Sequence, residues 1–172
     1  MIIQGSIEQI AKHYFDAIDH HEFMQLVFSK DFLTGVGPIH RYLYLKKYKN
    51  FERMFYEDCH NFSGRTKWDK DLILKYNSTA HYYHCDEIIN PVFFNSKWDP
   101  NKTRENVVYS TCSDALFKGS LSIVKSFALL KQQGRTDIKL RLGGVNINSV
   151  VGQFIKNIIN KHHLEDQIEI LG

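Results

Sequence analysis

The sequence has few cysteines and no long apolar run. Its three cysteines, Cys59, Cys85 and Cys112, are odd in number and lie far apart. Secreted domains that depend on disulfides have more cysteines, in even numbers, so we expect reduced thiols and a cytoplasmic protein. No apolar stretch approaches the ~20 residues that span a bilayer, and the first residues lack the pattern of a signal peptide. The sequence therefore favours a chain that uses neither disulfides nor a transmembrane helix.

A strong excess of charge is also missing. The 172 residues include 22 Lys and Arg against 19 Asp and Glu, which gives a formal net charge of +3. Proteins dedicated to nucleic acid concentrate basic residues in dense patches, so we expect no nucleic-acid partner. Hydrophobic residues make up 43% of the chain, as in a globular protein with a substantial core.

Metal-ligand spacings are absent as well. The run Asp19-His20-His21-Glu22 has four potential ligands, but adjacent residues of a helix point to different sides, and the same holds for His162-His163. His81 and His84 lie three residues apart in a predicted strand, where alternation places them on opposite faces. We therefore predict no metal site.

The sequence does contain a strand, helix and strand pattern. The runs Val107-Val108-Tyr109 and Ile138 to Leu142 are each too short for a helix and indicate strands. The segment between them has apolar residues at i, i+4 and i+7, namely Ile123, Phe127 and Leu130. This pattern predicts a βαβ unit.

The same pattern repeats towards the end of the chain. A broad apolar helical stripe precedes a third short strand at residues 168–171. The stripe consists of Val150, Val151, Phe154, Ile155, Ile158 and Ile159. We therefore predict that residues 106–171 form three parallel strands in a doubly wound α/β fold, with helices at about 120–132 and 149–161 as crossovers.

Lys118 lies in the loop between the first of these strands and its helix, just before Gly119. In parallel α/β folds, ligands bind at the carboxyl ends of the strands, where helix N-termini attract anions. The lysine could meet a phosphate there, but lysines are mostly exposed and solvated. Spacing alone leaves both interpretations open.

A helix is predicted after the strand-like residues Ile2 and Ile3. Ser6 and Gln9 have the spacing of a capping box, and apolar positions as far as Ile18 give the helix one apolar face. Gly5 precedes this helix. It could allow a ligand to approach the backbone closely, although a plain turn glycine is the more common explanation.

A second strand, helix and strand pattern follows in the first half. Residues 61–64 and 80–84 indicate strands, and Thr66 with Asp69 predicts a capped helix between them. Arg65 then lies at a strand end beside a helix N-terminus. It could contact an anion or hydroxyl of a ligand, or bind loop carbonyls, and the residues favour neither.

A longer helix is predicted from Arg41 to Asp58. It has aromatic residues at helical spacing, namely Tyr44, Tyr48, Phe51 and Phe55, with basic residues turned away from them. We expect the aromatic stripe to pack in the core and the basic side to be solvated. The alternative is a basic amphipathic helix that lies on an anionic membrane surface.

Residues 88–104 have no periodicity. Pro91 and Pro100 mark this stretch as a linker, and its aromatic residues suggest that it is packed. We therefore predict a domain junction there.

In this order, the segments resemble part of a family 4 glycosyltransferase, a retaining enzyme built from two facing Rossmann-like domains (GT-B architecture). Four passages carry the resemblance: Ile3-Gln4-Gly5; residues 64–69, Gly-Arg-Thr-Lys-Trp-Asp; residues 82–87, Tyr-Tyr-His-Cys-Asp-Glu, with Trp98-Asp99; and Lys118-Gly119 through Leu171-Gly172. The second and third passages are similar to a bacterial subgroup. The resemblance implies that residues 1–87 end the acceptor domain, 88–104 link the domains and 105–172 begin the nucleotide-sugar-binding domain.

The resemblance also implies site residues. Lys118 and Gly119 match the block that binds the donor diphosphate. Ser113 stands where the family often has an arginine, which is a departure from the pattern. On the acceptor side, Gly5 matches a loop, and Arg65 and Glu87 match cleft positions. No catalytic residue can be assigned.

The implied activity is transfer of a hexosyl group from a nucleotide-sugar to a saccharide or lipid-linked acceptor in bacterial polysaccharide biosynthesis. It needs no metal or other cofactor, and it places the protein in the cytoplasm, with peripheral contact at the inner membrane face as an option. The family's glycine-rich first loop and paired glutamates would lie outside this chain, so we expect a fragment, inactive alone. The alternatives are a non-catalytic nucleotide-binding or interaction module and a sugar-nucleotide epimerase on the same fold.

Overall fold

The computed structural model describes residues 2, 5–95, 97 and 99–171. Of the passages that carry the resemblance, Ile3, Gln4, Trp98 and Gly172 lie outside these residues. The helices are α1 Ile7–Lys12, α2 His20–Val27, α3 Lys30–Leu33, α4 Pro38–Asp58, α5 Lys67–Tyr76, α6 Ser120–Gln132 and α7 Val150–Lys161. The strands are β1 Asn61–Gly64, β2 His81–His84, β3 Val107–Thr111, β4 Lys139–Gly143 and β5 Ile168–Ile170. In the described residues, no helix combines the length and the apolar composition that a membrane crossing requires.

The chain divides into two compact units. The first consists of Met1–Lys12 and Leu43–Lys102, and the second of His13–Tyr42 and Thr103–Gly172. One of the divisions falls inside α4. Residues 13–42 thus group with the second unit. The predicted domain ranges 1–87, 88–104 and 105–172 refer to the domains of a larger enzyme, and they stay a prediction.

The second unit contains a parallel three-stranded sheet in the order β3-β4-β5. Val107 pairs with Lys139, and Leu140 pairs with Ile168. α6 connects the first two strands and α7 the last two. This confirms the three parallel strands and both crossover helices predicted for residues 106–171.

The double winding expected for this sheet is not seen in the described residues. α6 and α7 pack against each other, so both lie on the same face. The strands of this sheet are arranged in their sequence order. When all crossovers have the same hand, this order places every crossover helix on the same face of the sheet. Opposite faces are covered only when the strand order reverses.

The buried face of α6 differs from the predicted stripe. The buried apolar positions are Leu121, Val124, Phe127 and Ala128. Of the predicted stripe, only Phe127 is buried, while Ile123 and Leu130 are half-buried. The helix has apolar residues on more than one side, and tertiary packing selects between them. On α7, five of the six predicted positions are buried and Val150 is half-buried.

In the first unit, β1 and β2 form a parallel pair, as the sequence predicted. The backbone of Ile2 adds a parallel bridge to Ser63. α5 connects the two strands, and the predicted capping box of Thr66 and Asp69 is present. The core of this unit is a cluster of Tyr56, Phe62, Leu72 and Ile73.

The first helix is shorter than predicted. α1 ends at Lys12, and residues 13–17 form turns. Backbone bonds there join residues three apart, from Asp16 N–H to the His13 carbonyl and from Ile18 N–H to the Phe15 carbonyl. Such bonds are tighter than those of an α-helix, so the apolar positions beyond Lys12 do not continue its face.

α4 exposes the face that was predicted to be buried. Its buried residues are Leu45, Glu52 and Tyr56. Of the predicted aromatic stripe, Tyr44 is 57%, Phe51 50% and Phe55 57% exposed, and Tyr48 is half-buried. The expectation that these rings pack in the core is therefore wrong, because the helix turns a different stripe inward.

The predicted linker also exposes its apolar side chains. It contains the short 3₁₀ helices Pro91–Asn95 and Pro100–Lys102. Phe93 and Phe94 are 64% and 73% exposed, and Ile88 is almost fully exposed. The described part of this segment is thus not packed as predicted. Irregular backbone has no apolar face that could be buried as a whole.

Candidate functional site

The carboxyl ends of β3, β4 and β5 form an open cleft of about 350 Å³. Its lining comes from the last residues of these strands and the loops that follow: Tyr109, Thr111, Cys112, Ser113, Gly143, Gly144 and Leu171. The backbone N–H of Cys112 donates to the Gly143 carbonyl and holds the two loops together. This edge is where parallel α/β sheets bind ligands.

Small residues keep this cleft open. A side chain at Gly143 would bring its Cβ to 3.1 Å from the Tyr109 hydroxyl. Gly144 has a φ of +80°, and a Cβ there would lie 3.3 Å from the Cys112 carbonyl oxygen. Gly144 therefore needs its conformational freedom, and larger residues at either position would crowd the cleft.

The loop from β3 to α6 carries the three predicted donor-site residues. Ser113 lines the cleft, and its hydroxyl accepts a hydrogen bond from the Ala115 N–H. Lys118 ends a single 3₁₀ turn, Leu116–Lys118, and Gly119 follows in a left-handed conformation with a φ of +79°. The predicted residues thus share one loop, with Ser113 at its beginning and Lys118 and Gly119 at the start of α6.

The Lys118 ammonium is exposed and lies 5.6 Å from the centre of the Phe117 ring. Among the described residues its side chain has no hydrogen bond and no ion pair. The next residue but one, Ser120, is fully buried and its hydroxyl has no partner in the described part of the chain. The first N–H groups of α6 have no partners within the helix and carry its positive dipole end. The start of α6 can therefore attract an anion.

The sequence predicted α7 itself, but not the close contact that its first turn makes with the preceding loop. Ser149 caps it by accepting a hydrogen bond from the Gly152 N–H. A Cβ on Gly152 would lie 2.1 Å from the Asn146 carbonyl oxygen, so α7 approaches the loop after β4 at backbone distance. A glycine in the first turn of a strongly apolar helix was the signal that could have found this contact.

In the first unit, the structure brings two predicted acceptor-side residues together. Arg65 follows β1 and Glu87 comes three residues after β2. The Arg65 Nη1 lies 2.6 Å from the Glu87 Oε1, and both side chains are partly exposed. Because β1 and β2 are parallel, this ion pair lies at their common carboxyl edge.

Other residues around Arg65 have structural roles. A Cβ on Gly64 would lie 2.9 Å from the Tyr82 hydroxyl, which itself donates to the Thr66 carbonyl. The Asp69 carboxylate accepts the N–H groups of Arg65 and Thr66. Most of the Gly-Arg-Thr-x-Trp-Asp passage is therefore explained by the turn and cap that it forms.

The third acceptor-side residue, Gly5, precedes a helix whose N-terminus is already occupied. Gly5 is exposed and has a φ of +133°. The buried Glu52 carboxylate accepts the N–H groups of Ile7 at 2.7 Å and Glu8 at 3.0 Å, and the Ser6 hydroxyl at 3.1 Å. Glu52 therefore already accepts the two N–H groups that an anion at the start of α1 would bind, and a ligand near Gly5 would meet its backbone.

Glu52 also binds a buried tyrosine. The Tyr56 hydroxyl donates to Glu52 at 2.9 Å, and burial together with this carboxylate raises the pKa of Tyr56. The sequence pattern did not reveal this network, because a glutamate within a charged helix resembles a solvated residue. The signal that could have revealed it is that Glu52 lies on the same face of α4 as the apolar positions Leu45 and Tyr56.

The acidic and histidine run at the start of α2 forms a cap. Asp19 and Glu22 make a capping box, in which each side chain accepts the other residue's backbone N–H. Glu22 also lies 2.7 Å from the Lys125 ammonium. Among the described residues, no group of three or more His, Cys, Asp or Glu side chains is placed to hold a metal ion.

No protein family, curated protein or solved structure matches the chain. Its mixed α/β fold, with parallel strands in two small sheets, is therefore established from its own strands and helices.

Proposed function

We propose that the chain is part of a glycosyltransferase that moves a hexosyl group from a nucleotide-sugar to a saccharide or lipid-linked acceptor, with retention. In this proposal the β3-β4-β5 sheet belongs to the donor domain and the β1-β2 pair to the acceptor domain of a GT-B enzyme. The parallel strands and crossover helices support Rossmann-like domains. A fold of this class does not imply an activity, so the proposal depends on the site.

The observation that carries the proposal is the start of α6. A lysine without an ion pair among the described residues, a left-handed glycine and a helix N-terminus meet there at the carboxyl edge of a parallel sheet. The space where a Gly119 Cβ would lie is open, with no atom of the described residues within 4 Å apart from Gly119 and its chain neighbours, so a phosphate could approach the backbone. Helix N–H groups and a cation are the usual partners of a phosphate.

Lys118 and α6 would stabilise the leaving group. When the glycosyl bond breaks, negative charge develops on the departing nucleoside diphosphate, and donors fixed at that position lower the barrier. Ser113 offers a hydroxyl where the family often has an arginine, so Lys118 would carry a larger share of this charge. No described residue is assigned to proton transfer.

Arg65 and Glu87 would bind the acceptor. Their exposed ion pair offers guanidinium donors beside a carboxylate acceptor, a combination that suits sugar hydroxyls. Gly5 would contribute close approach to its backbone. Charge does not favour an anionic acceptor group at the start of α1, since Glu52 occupies it.

The exposed face of α4 supports contact with an anionic membrane surface, where a lipid-linked acceptor would be found. Half-exposed apolar residues form this face, namely Leu43, Tyr44, Phe51, Met54 and Phe55. Lys46, Lys47 and Arg53 on the same helix are exposed as well. Apolar and aromatic residues that insert between headgroups, with lysines beside them, are typical of helices that lie on membranes.

The test is sugar transfer by the protein that the complete reading frame encodes. The flanking DNA is read for the family's paired glutamates, and the encoded protein is assayed with radiolabelled UDP- and GDP-hexoses. We expect the glutamates downstream and release of nucleoside diphosphate that depends on an acceptor. A frame that stops at Gly172, with no affinity for nucleoside diphosphates, would contradict the proposal and favour an interaction module.

A further inference from the structure

A second pocket shares the loop between β3 and α6. Residues 112 and 113 line the carboxyl-edge cleft, whereas residues 114–116 line this second pocket, which has a volume of about 330 Å³. Its other walls come from Tyr14, Asp31, residues 36–38, Arg41 and residues 149–151. All of these residues belong to the second compact unit.

Four polar side chains around this pocket have no protein partner within the described residues. The Tyr14 hydroxyl, the Arg41 guanidinium and the carboxylates of Asp31 and Asp114 line it. Within the described residues, none of these four groups has a hydrogen bond or an ion pair. Only Tyr14 is a buried residue, whereas Asp31 and Asp114 are half-buried and Arg41 is exposed. Two donors and two acceptors that have no protein partner around one pocket are available to bind a ligand.

Tyr14 is the most informative of the four. Its side chain is only 2% exposed, and it is held by the rings of Tyr42 at 6.0 Å and Phe117 at 6.1 Å. Burial raises the pKa of the Tyr14 hydroxyl, and the nearby Arg41 guanidinium opposes that rise only in part. The hydroxyl therefore stays protonated at neutral pH and can donate a hydrogen bond into the pocket.

The chemistry of the lining selects the class of ligand. Arg41 and Tyr14 donate hydrogen bonds, while Asp31 and Asp114 accept them. Two carboxylates against one guanidinium disfavour an anion, and four polar groups disfavour an apolar ligand. A sugar hydroxyl both donates and accepts, so it can satisfy both kinds of group.

We propose that this pocket binds a neutral saccharide ring through Tyr14, Arg41, Asp31 and Asp114. Its volume lies at the lower end of the ~300–1,000 Å³ of small-molecule sites, which fits a single ring better than an extended chain. The pocket is distinct from Lys118 and from the ion pair of Arg65 and Glu87. The binding of a saccharide here does not depend on the proposed function. A role of the bound ring as a substrate of sugar transfer does rest on that proposed function.

Binding is tested with D-glucose, D-galactose, D-mannose and N-acetyl-D-glucosamine, by saturation-transfer NMR and calorimetry on the whole chain. Tyr14→Phe removes one hydroxyl and keeps the ring. We expect it to weaken binding by about threefold to tenfold, and Asp114→Asn by about tenfold or more. Tyr42→Phe is the matched control, because Tyr42 belongs to the same ring cluster but is not among the residues that line the pocket.

The outcomes separate the alternatives. Binding of at least one sugar, weakened by Tyr14→Phe and Asp114→Asn but not by Tyr42→Phe, supports the pocket. No sugar binding up to roughly tens of millimolar, the weak limit for so small a ligand, overturns it. Arg41-dependent binding of inorganic phosphate without sugar binding also overturns it. If sugars bind here but nucleoside diphosphates do not bind at Lys118, the pocket stands and the proposed glycosyl transfer fails.

Discussion

The two parallel sheets differ in how far the apolar residues in and around them are buried. In the β3-β4-β5 sheet, Leu140 and Leu142 of the central strand are fully buried. Next to the β1-β2 pair, α4 turns an aromatic face outward, and Phe93 and Phe94 are exposed. The same strand, helix and strand pattern thus gives a closed core in one unit and an uncovered apolar surface in the other. Apolar surface of this extent usually has a partner.

The largest expected effect comes from the closed core. Leu140→Ala should lower the free energy of unfolding by about 2–5 kcal/mol, because the cavity left in the buried core cannot collapse fully. Phe55→Ala, on the exposed face of α4, should change it by no more than about 0.5 kcal/mol. Urea unfolding measures both. Equal losses would show that the α4 face is covered after all.

In the first unit, the sharpest test is Glu52→Gln. One carboxylate accepts hydrogen bonds from two backbone N–H groups and two hydroxyls, and an amide would turn a donor towards some of them. We expect a loss of about 1–3 kcal/mol. Glu57→Gln is the control on the same helix, because the Glu57 side chain forms an exposed ion pair with Arg53 and no other contact among the described residues. Similar losses in the two variants would refute the role of the network.

The exposed α4 face is tested with vesicles. Replacing Phe51 and Phe55 by serine should weaken binding to anionic phospholipid vesicles by about tenfold, since each ring contributes apolar area. Vesicles of neutral lipid should bind less in either case. Cosedimentation measures the bound fraction. Equal retention of the unchanged chain and the double variant would point to a protein partner or to none.

The smallest effect concerns pH. The Glu22 N–H bonded to the Asp19 carboxylate lowers the pKa of Asp19 below its ordinary 3.8. A carboxyl of this kind stabilises the fold above its unfolded pKa and loses that contribution as the pH falls through its folded pKa. Asp19→Ala should therefore cost about 0.5–1 kcal/mol at neutral pH and nothing in strong acid. A cost that does not change with pH would exclude the charge as its cause.

The parts of the fold that could be predicted depend on neighbours in sequence. Short runs with apolar or aromatic residues predicted the strands of both sheets, and the three-residue spacing of Thr66 and Asp69 predicted the cap of α5. Asp19 and Glu22 have the same three-residue spacing and form the cap of α2. From the sequence, we considered these residues only as metal ligands and did not predict this cap.

The parts that failed depend on tertiary contacts. α4 is apolar or aromatic on two sides, and periodicity cannot tell which side meets the sheet. Glu52 was hidden because its partners, Ser6 to Glu8, lie more than forty residues away. The pocket around Tyr14 draws residues from distant parts of the sequence, so no local pattern could reveal it. Lys118, Gly119 and Ser113 could be proposed together because one loop carries all three.

The most direct test of the central claim is the affinity of the donor site for nucleoside diphosphates. UDP and GDP are titrated by calorimetry into the protein of the complete reading frame, its Lys118→Ala variant and Lys156→Ala, which removes an exposed lysine from α7. A charge-assisted contact to phosphate contributes ~1.5–3 kcal/mol, so Lys118→Ala should bind roughly ten- to a hundredfold more weakly, with unchanged unfolding, while Lys156→Ala binds normally. Equal affinity in all three proteins would contradict the account and remove Lys118 from the site.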